Sequence, residues 1–140
     1  MGSREMLGES GRQTVEVLIV DDEENVRNVF RDYCLSSSSF RVTTAPGGRE
    51  AIDLIRKHDF DVVTIDLVMP EVSGIDTIEA IRREWPHLPV VVVTGNATEW
   101  LIEEVGRYGG CRVVRKPIGI QEFLDELLDI VAERRRPDNG

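Results

Sequence analysis

Five side chains able to do chemistry stand where short β-branched runs end. Asp21 and Asp22 follow Val15–Val20, Asp66 follows Val62–Ile65, Thr94 follows Val90–Val93, and Lys116 lies two residues beyond Cys111–Val114. Three carboxylates drawn to one edge repel each other unless a cation sits among them. A hard dication that keeps several waters, Mg²⁺, suits such oxygen ligands. The expected arrangement has Asp22 and Asp66 as direct ligands, Asp21 acting through a bound water, and the Val68 backbone carbonyl as a further ligand. Asp66 is then expected to attack a phosphorus atom in line. Lys116 would bring a movable point charge to one phosphoryl oxygen, Thr94 a hydroxyl donor to another, and Gly95 would leave room for it. The product, an acyl phosphate, adds charge that can bias a loop-and-helix equilibrium.

Each residue also has a plainer explanation. Asp21 or Asp22 can cap a following helix, Asp66 can close a turn, Thr94 suits a strand, and Lys116 can be a solvated loop lysine. All four explanations would have to hold together, which is what favours a site.

The elements that position these residues alternate regularly. Strands are predicted at Val15–Val20, Phe40–Thr44, Val62–Ile65, Val90–Val93 and Cys111–Val114. Helices are predicted at Glu23–Leu35, Arg49–Lys57, Gly74–Trp85, Ala97–Tyr108 and Ile120–Glu133. The first carries apolar Val26, Val29, Phe30 and Tyr33 on one side. The last carries Phe123, Leu124, Leu127, Leu128 and Val131. Pro46-Gly47-Gly48 is turn chemistry, Met69–Ser73 a loop, and Gly109-Gly110 permit a left-handed turn closing the fourth helix. The all-valine fourth strand suits burial on both faces. This order implies an α/β fold, a doubly wound parallel sheet with right-handed crossovers. In such sheets ligands bind beyond the carboxyl ends of the strands, where strand order reverses.

Composition bounds the rest. The chain has 140 residues, 41% hydrophobic and 31% charged, enough for one domain with a core. A net charge of −9 argues against direct nucleic-acid binding, which rewards clustered Lys and Arg. The longest apolar run, Leu88–Val93, is interrupted by Pro89 and is too short to cross a bilayer. Residues 1–13 are polar and read as a disordered leader or expression remnant, 14–133 as the domain, and 134–140 as a charged tail or linker start. Cys34 and Cys111 lack metal-ligand spacing and read as reduced thiols, consistent with a cytoplasmic protein. His58 and His87 read as surface residues, and Trp85 and Trp100 as packing residues.

The chain resembles the response-regulator receiver domains of two-component systems from about Val15 to Val131. The resemblance lies in Val17-Leu18-Ile19-Val20-Asp21-Asp22, Ile65-Asp66-Leu67-Val68-Met69-Pro70 with Gly74, Val93-Thr94-Gly95, and Lys116-Pro117. It implies a flavodoxin-like five-stranded sheet of order 2-1-3-4-5 with five helices. It also implies Asp66 as phosphoacceptor, Mg²⁺ dependence, and a sensor histidine kinase or phosphotransfer protein as donor. A cis peptide before Pro117 is expected too. Output would pass to a downstream protein or to an output domain outside this chain, with a phosphorylation-dependent dimer compatible with either. The chain is thus expected to be a signalling switch rather than an enzyme acting on a separate substrate.

Two positions depart from the pattern. Many receivers carry an aromatic residue three positions before the lysine, where this chain has Val113; Tyr108 does not replace it. Output is therefore expected through the loop after Thr94 and the fourth helix, without an aromatic rotamer switch. Val68 and Asn96 flank the approach to the acyl phosphate, and apolar Val68 predicts slow self-dephosphorylation. Three other readings compete. An aspartyl-nucleophile phosphatase of the haloacid dehalogenase type would want a second Asp at Val68 and a cap domain. A flavin carrier would want a Ser/Thr- and Gly-rich loop in place of Asp21-Asp22. A phosphorylation-independent receiver-like binding module would not need the full set of five residues.

Overall fold

The computed structural model describes residues 14–67, 72–96 and 98–135. The proposed leader, the Val68 carbonyl, most of the Met69–Ser73 loop and the end of the charged tail lie outside the described residues.

Five parallel strands form one sheet of order β2-β1-β3-β4-β5. They are β1 (Val15–Val20), β2 (Phe40–Ala45), β3 (Val62–Leu67), β4 (Val90–Thr94) and β5 (Cys111–Arg115). Among the described residues the helices are α1 (Glu24–Leu35), α2 (Gly48–Lys57), α3 (Val72–Glu84), α4 (Glu99–Gly106) and α5 (Ile120–Arg135). Parallel neighbours need crossovers, and here each crossover is a helix.

Side chains along a strand alternate between the sheet's two faces, and each face has its own core. Leu18, Val20, Val63, Ile65, Val90 and Val92 pack with residues of α2, α3 and α4, including Ile55, Ile78, Ile81 and Leu101. Val17, Ile19, Val62, Val91 and Val93 pack with residues of α1 and α5, including Phe30, Phe123 and Leu127. Burial on both faces explains the near-continuous valine and isoleucine runs. Each such side chain contributes about 1.5–3 kcal/mol when fully buried.

Several boundaries differ from the sequence reading, each for a physical reason. β3 continues two residues further, because Asp66 and Leu67 pair with Val93 and Thr94 of β4. Asp66 therefore belongs to the strand rather than to the loop beyond it. α4 is shorter than Ala97–Tyr108. Thr98 caps its start by accepting the Leu101 amide at 3.1 Å, and the Arg107 and Tyr108 amides close its end by donating to the Glu104 and Val105 carbonyls at 3.2 and 3.1 Å. The left-handed turn falls at Gly110 alone (φ 73°), on the entry to β5 rather than on the helix end.

The predicted apolar faces shift slightly as well. Val29 is 47% exposed and Leu128 40% exposed, whereas Cys34 and Ile130 are buried. Trp100, expected to pack, is 50% exposed, while Trp85 packs against the core. His58 and His87 are exposed, as expected. β5 is an edge strand, and Arg112 fastens it to α5 through Glu126 at 2.9 Å and Glu133 at 2.7 Å. No helix among the described residues is long and apolar enough to cross a membrane.

Candidate functional site

Register brings the chemical residues together. Val20 pairs with Ile65, so Asp21 and Asp66 are the next residues along adjacent strands. Leu67 pairs with Thr94, and Thr94 with Arg115, which sets Lys116 one step beyond. Four residues distant in sequence thus reach one end of the sheet, beside the point where the strand order reverses between β1 and β3.

Asp21 is buried at 2% exposure. Its amide extends the ladder to the Ala45 carbonyl at 3.1 Å, and its Oδ1 accepts the Glu23 amide at 2.8 Å. The plainer helix-cap reading is not met, because Glu23 is the N-cap residue and makes no side-chain cap bond, while Asp21 Oδ1 only closes a turn ahead of it. The other Asp21 oxygen, Oδ2, is buried with no hydrogen-bond partner. Asp22 is exposed but lines the same cleft.

The Asp66 side chain is only 3% exposed. Lys116 Nζ donates to its Oδ2 at 2.5 Å, while Oδ1 is buried without a partner. The lysine is anchored by its backbone, since its amide donates to the Thr94 carbonyl at 2.8 Å. The Lys116–Pro117 bond is cis, as expected. Thr94 is 2% exposed, and its Oγ1 accepts the Asn96 amide at 3.0 Å, which leaves the hydroxyl proton free to be donated elsewhere. A Cβ at Gly95 would meet no atom within 4 Å, so the protein's own packing does not demand glycine there.

Electrostatics mark the centre. The Asp21 carboxyl is pushed up from 3.8 to about 7. Burial is the largest cause, followed by the neighbouring Asp66 carboxyl, with which it can share a proton and whose charge opposes its own. The Glu23 amide and the Lys116 charge pull the other way and lose.

Two buried, orphaned carboxylate oxygens beside an exposed third acid fit a small dication, which would supply the missing countercharge. Yet among the described residues no three His, Cys, Asp or Glu side chains are gathered into a metal-holding cluster. The expected trio is therefore arranged as a tight pair, Asp21 and Asp66, with Asp22 at the rim. The cleft they line measures about 100 Å³, and Gly47, Gly48 and Thr77 form part of its wall.

That wall was not legible in the sequence, because it joins the start of α2 to α3. A Cβ on Gly48 would overlap Thr77 Oγ1, so this glycine is demanded by close approach. Arg27 was missed too. It lies one turn into α1 and donates to the Asp21 carbonyl at 2.8 Å, and its only sequence signal is its position shortly after the acid pair.

Comparison with known proteins agrees with this geometry. Residues 17–128 match the family model described as the response regulator receiver domain. The polar-differentiation response regulator DivK of Brucella ovis is 34% identical over 117 residues, covering 81% of this chain and 94% of that protein. The chemotaxis protein CheY4 of Vibrio cholerae superposes with a TM-score of 0.76 at 27% identity, over 84% of this chain and 99% of that one. A CheY-like receiver domain from Methanospirillum hungatei JF-1 shares the fold, with a TM-score of 0.81 at 19% identity over 90% and 100% of the two chains. Sheet order, the acids and lysine at its carboxyl end, and these relatives lead to one assignment: the chain belongs to the response regulator receiver domain family of two-component systems.

Proposed function

We propose that this receiver domain takes a phosphoryl group onto Asp66, in a Mg²⁺-dependent reaction, from a sensor histidine kinase or phosphotransfer protein. One observation carries the reading. Asp66 is a buried carboxylate with one oxygen held by Lys116 and the other unpartnered.

The unpartnered oxygen is the available nucleophile. As it forms its bond to phosphorus, the bond from phosphorus to the donor's leaving atom breaks, and the leaving group keeps that electron pair. Lys116 meets the phosphoryl oxygens as charge moves onto them, and its flexible stem lets it follow. Thr94 donates its hydroxyl proton to another phosphoryl oxygen. Asp21, Asp22 and Asp66, with the Val68 carbonyl, would hold Mg²⁺, which when bound neutralises charge on the transferring oxygens. Asp21 contributes the buried orphan oxygen and Asp22 the solvent-facing acid.

Residues 14–133 form the signalling unit in this reading. Its cytoplasmic partners are the donor and a downstream protein or output domain, with no part for nucleic acid or membrane. Phosphorylation with acetyl phosphate, with and without Mg²⁺, on wild type and Asp66→Asn tests the proposal. Labelling of wild type alone, and only with Mg²⁺, is expected. Equal labelling of Asp66→Asn would overturn it.

A further inference from the structure

Lys116 sits at the start of a short turn, Lys116-Pro117-Ile118, and that turn is tied at both ends. At one end the Lys116 amide donates to the Thr94 carbonyl at 2.8 Å. At the other, the Tyr33 hydroxyl donates to the Ile118 carbonyl at 3.3 Å, across 85 positions of sequence. Tyr33 lies in the last turn of α1, and its ring is held edge-on by Phe30 at 5.6 Å and by Phe123 at 6.0 Å. Ile118 itself packs against the same core cluster as Tyr33. A tyrosine fixed this way offers its hydroxyl at small entropic cost, because only two side-chain torsions need ordering.

We propose that Tyr33 is a positioning residue for phosphoryl acceptance. Through the Ile118 carbonyl its hydroxyl holds the Lys116 turn so that the ammonium reaches Asp66. The inference rests on the role proposed above for Asp66 and Lys116. A lysine has a flexible four-carbon stem, so the place of its ammonium depends on where its backbone starts. Misplacement of a reacting charge by about 1 Å can cost up to ~100-fold in rate. Val113 offers no ring on the β5 side, and Tyr33 supplies an aromatic contact to this turn from α1 instead.

Tyr33→Phe keeps the ring and removes the hydroxyl; Tyr33→Leu removes both. The measurements are the Mg²⁺-dependent rate of Asp66 labelling against acetyl phosphate concentration, the thermal midpoint, and the Lys116 side-chain Cε and Nζ NMR resonances. For Tyr33→Phe the midpoint should stay within about 3 °C of wild type. The limiting rate should fall about 3- to 10-fold, half-saturation should hold, and the Lys116 resonances should shift. Tyr33→Leu should lose both stability and rate. A Tyr33→Phe protein with wild-type rate and resonances overturns the proposal, as does a rate loss that merely tracks a fall in midpoint. Should wild type itself take no label, the phosphoacceptor reading fails. The Lys116 resonances then decide alone: shifted, the positioning link stands; unshifted, it falls.

Discussion

Lys116 Nζ lies 2.5 Å from Asp66 Oδ2, an ion pair that joins the ends of β5 and β3 across the intervening β4. Its acid is almost wholly buried and its base is 27% exposed. Removing the lysine strands a charge in the interior. Lys116→Ala should cost about 2–3 kcal/mol, below the ~3–5 of a fully buried pair because water reaches the lysine side. Adding Asp66→Asn should recover most of the loss. Urea unfolding of both singles and the double mutant measures this; strict additivity would contradict the coupling.

Asp21 makes the metal-free fold sensitive to pH. Its folded carboxyl titrates near 7 against 3.8 in the ordinary state. Between those values the folded protein keeps a proton that the unfolded chain has lost. Stability therefore falls as pH rises from about 4 to about 7 and is level above, the reverse of a salt-bridged acid. Asp21→Asn should remove this decline and raise stability at pH 8 without Mg²⁺ by about 1–3 kcal/mol, after a discount for relaxation of the coupled pair. Chemical denaturation at pH 5 and pH 8 checks the sign.

Mg²⁺ should act on the same residue with opposite consequence. If the orphaned Asp21 oxygen helps hold the ion, adding Mg²⁺ raises the thermal midpoint of wild type. The rise should be much smaller in Asp21→Asn and in Asp66→Asn. A titration followed by thermal shift gives the comparison, and equal shifts in all three proteins would count against the ligand set.

Gly48 should tolerate no side chain. Its missing Cβ would overlap Thr77 Oγ1, and Thr77 is short and stiff at its branched Cβ. Gly48→Ala should cost about 1–3 kcal/mol and weaken Mg²⁺ binding by displacing the cleft wall. Thr77→Ala should relieve part of the first effect, because the overlapping oxygen is gone. Unfolding and Mg²⁺ titration of the single and double variants decide it.

Cys34 should be chemically silent in the native state. It is fully buried, and burial pushes its thiol up to about 12. Cys111 is half-buried, and burial raises its thiol too, although Arg82 opposes the shift. Below pH 9 a disulfide reagent should modify Cys34 only at the rate of unfolding, with prompt reaction in urea. Fast native labelling of Cys34 would contradict its packing.

The sequence by itself determined the architecture, because its signals are local. Valine and isoleucine runs of strand length, helical periodicity between them, and acids at the ends of the first and third runs all reside in short segments. The receiver resemblance was legible for the same reason, since its motifs are short and ordered. Family membership decided against the phosphatase and the flavin carrier. The cis bond before Pro117 followed from that resemblance rather than from any pattern in the residues.

The tertiary structure decided which partner each chemical group has. Asp66 is drawn into β3 by pairing with Val93, a contact no local pattern encodes. Asp21 rather than Asp22 became its buried neighbour, because strand register carries Asp21 into the row beside Asp66 while Asp22 turns out to the rim. Val29, Leu128 and Trp100 read as packing residues, yet helix rotation set by the neighbours left them exposed. The closure of Gly48 on Thr77 and the reach of Tyr33 to Ile118 join residues dozens of positions apart. Such contacts depend on distances between whole elements, and those exist only once both faces of the sheet have been packed.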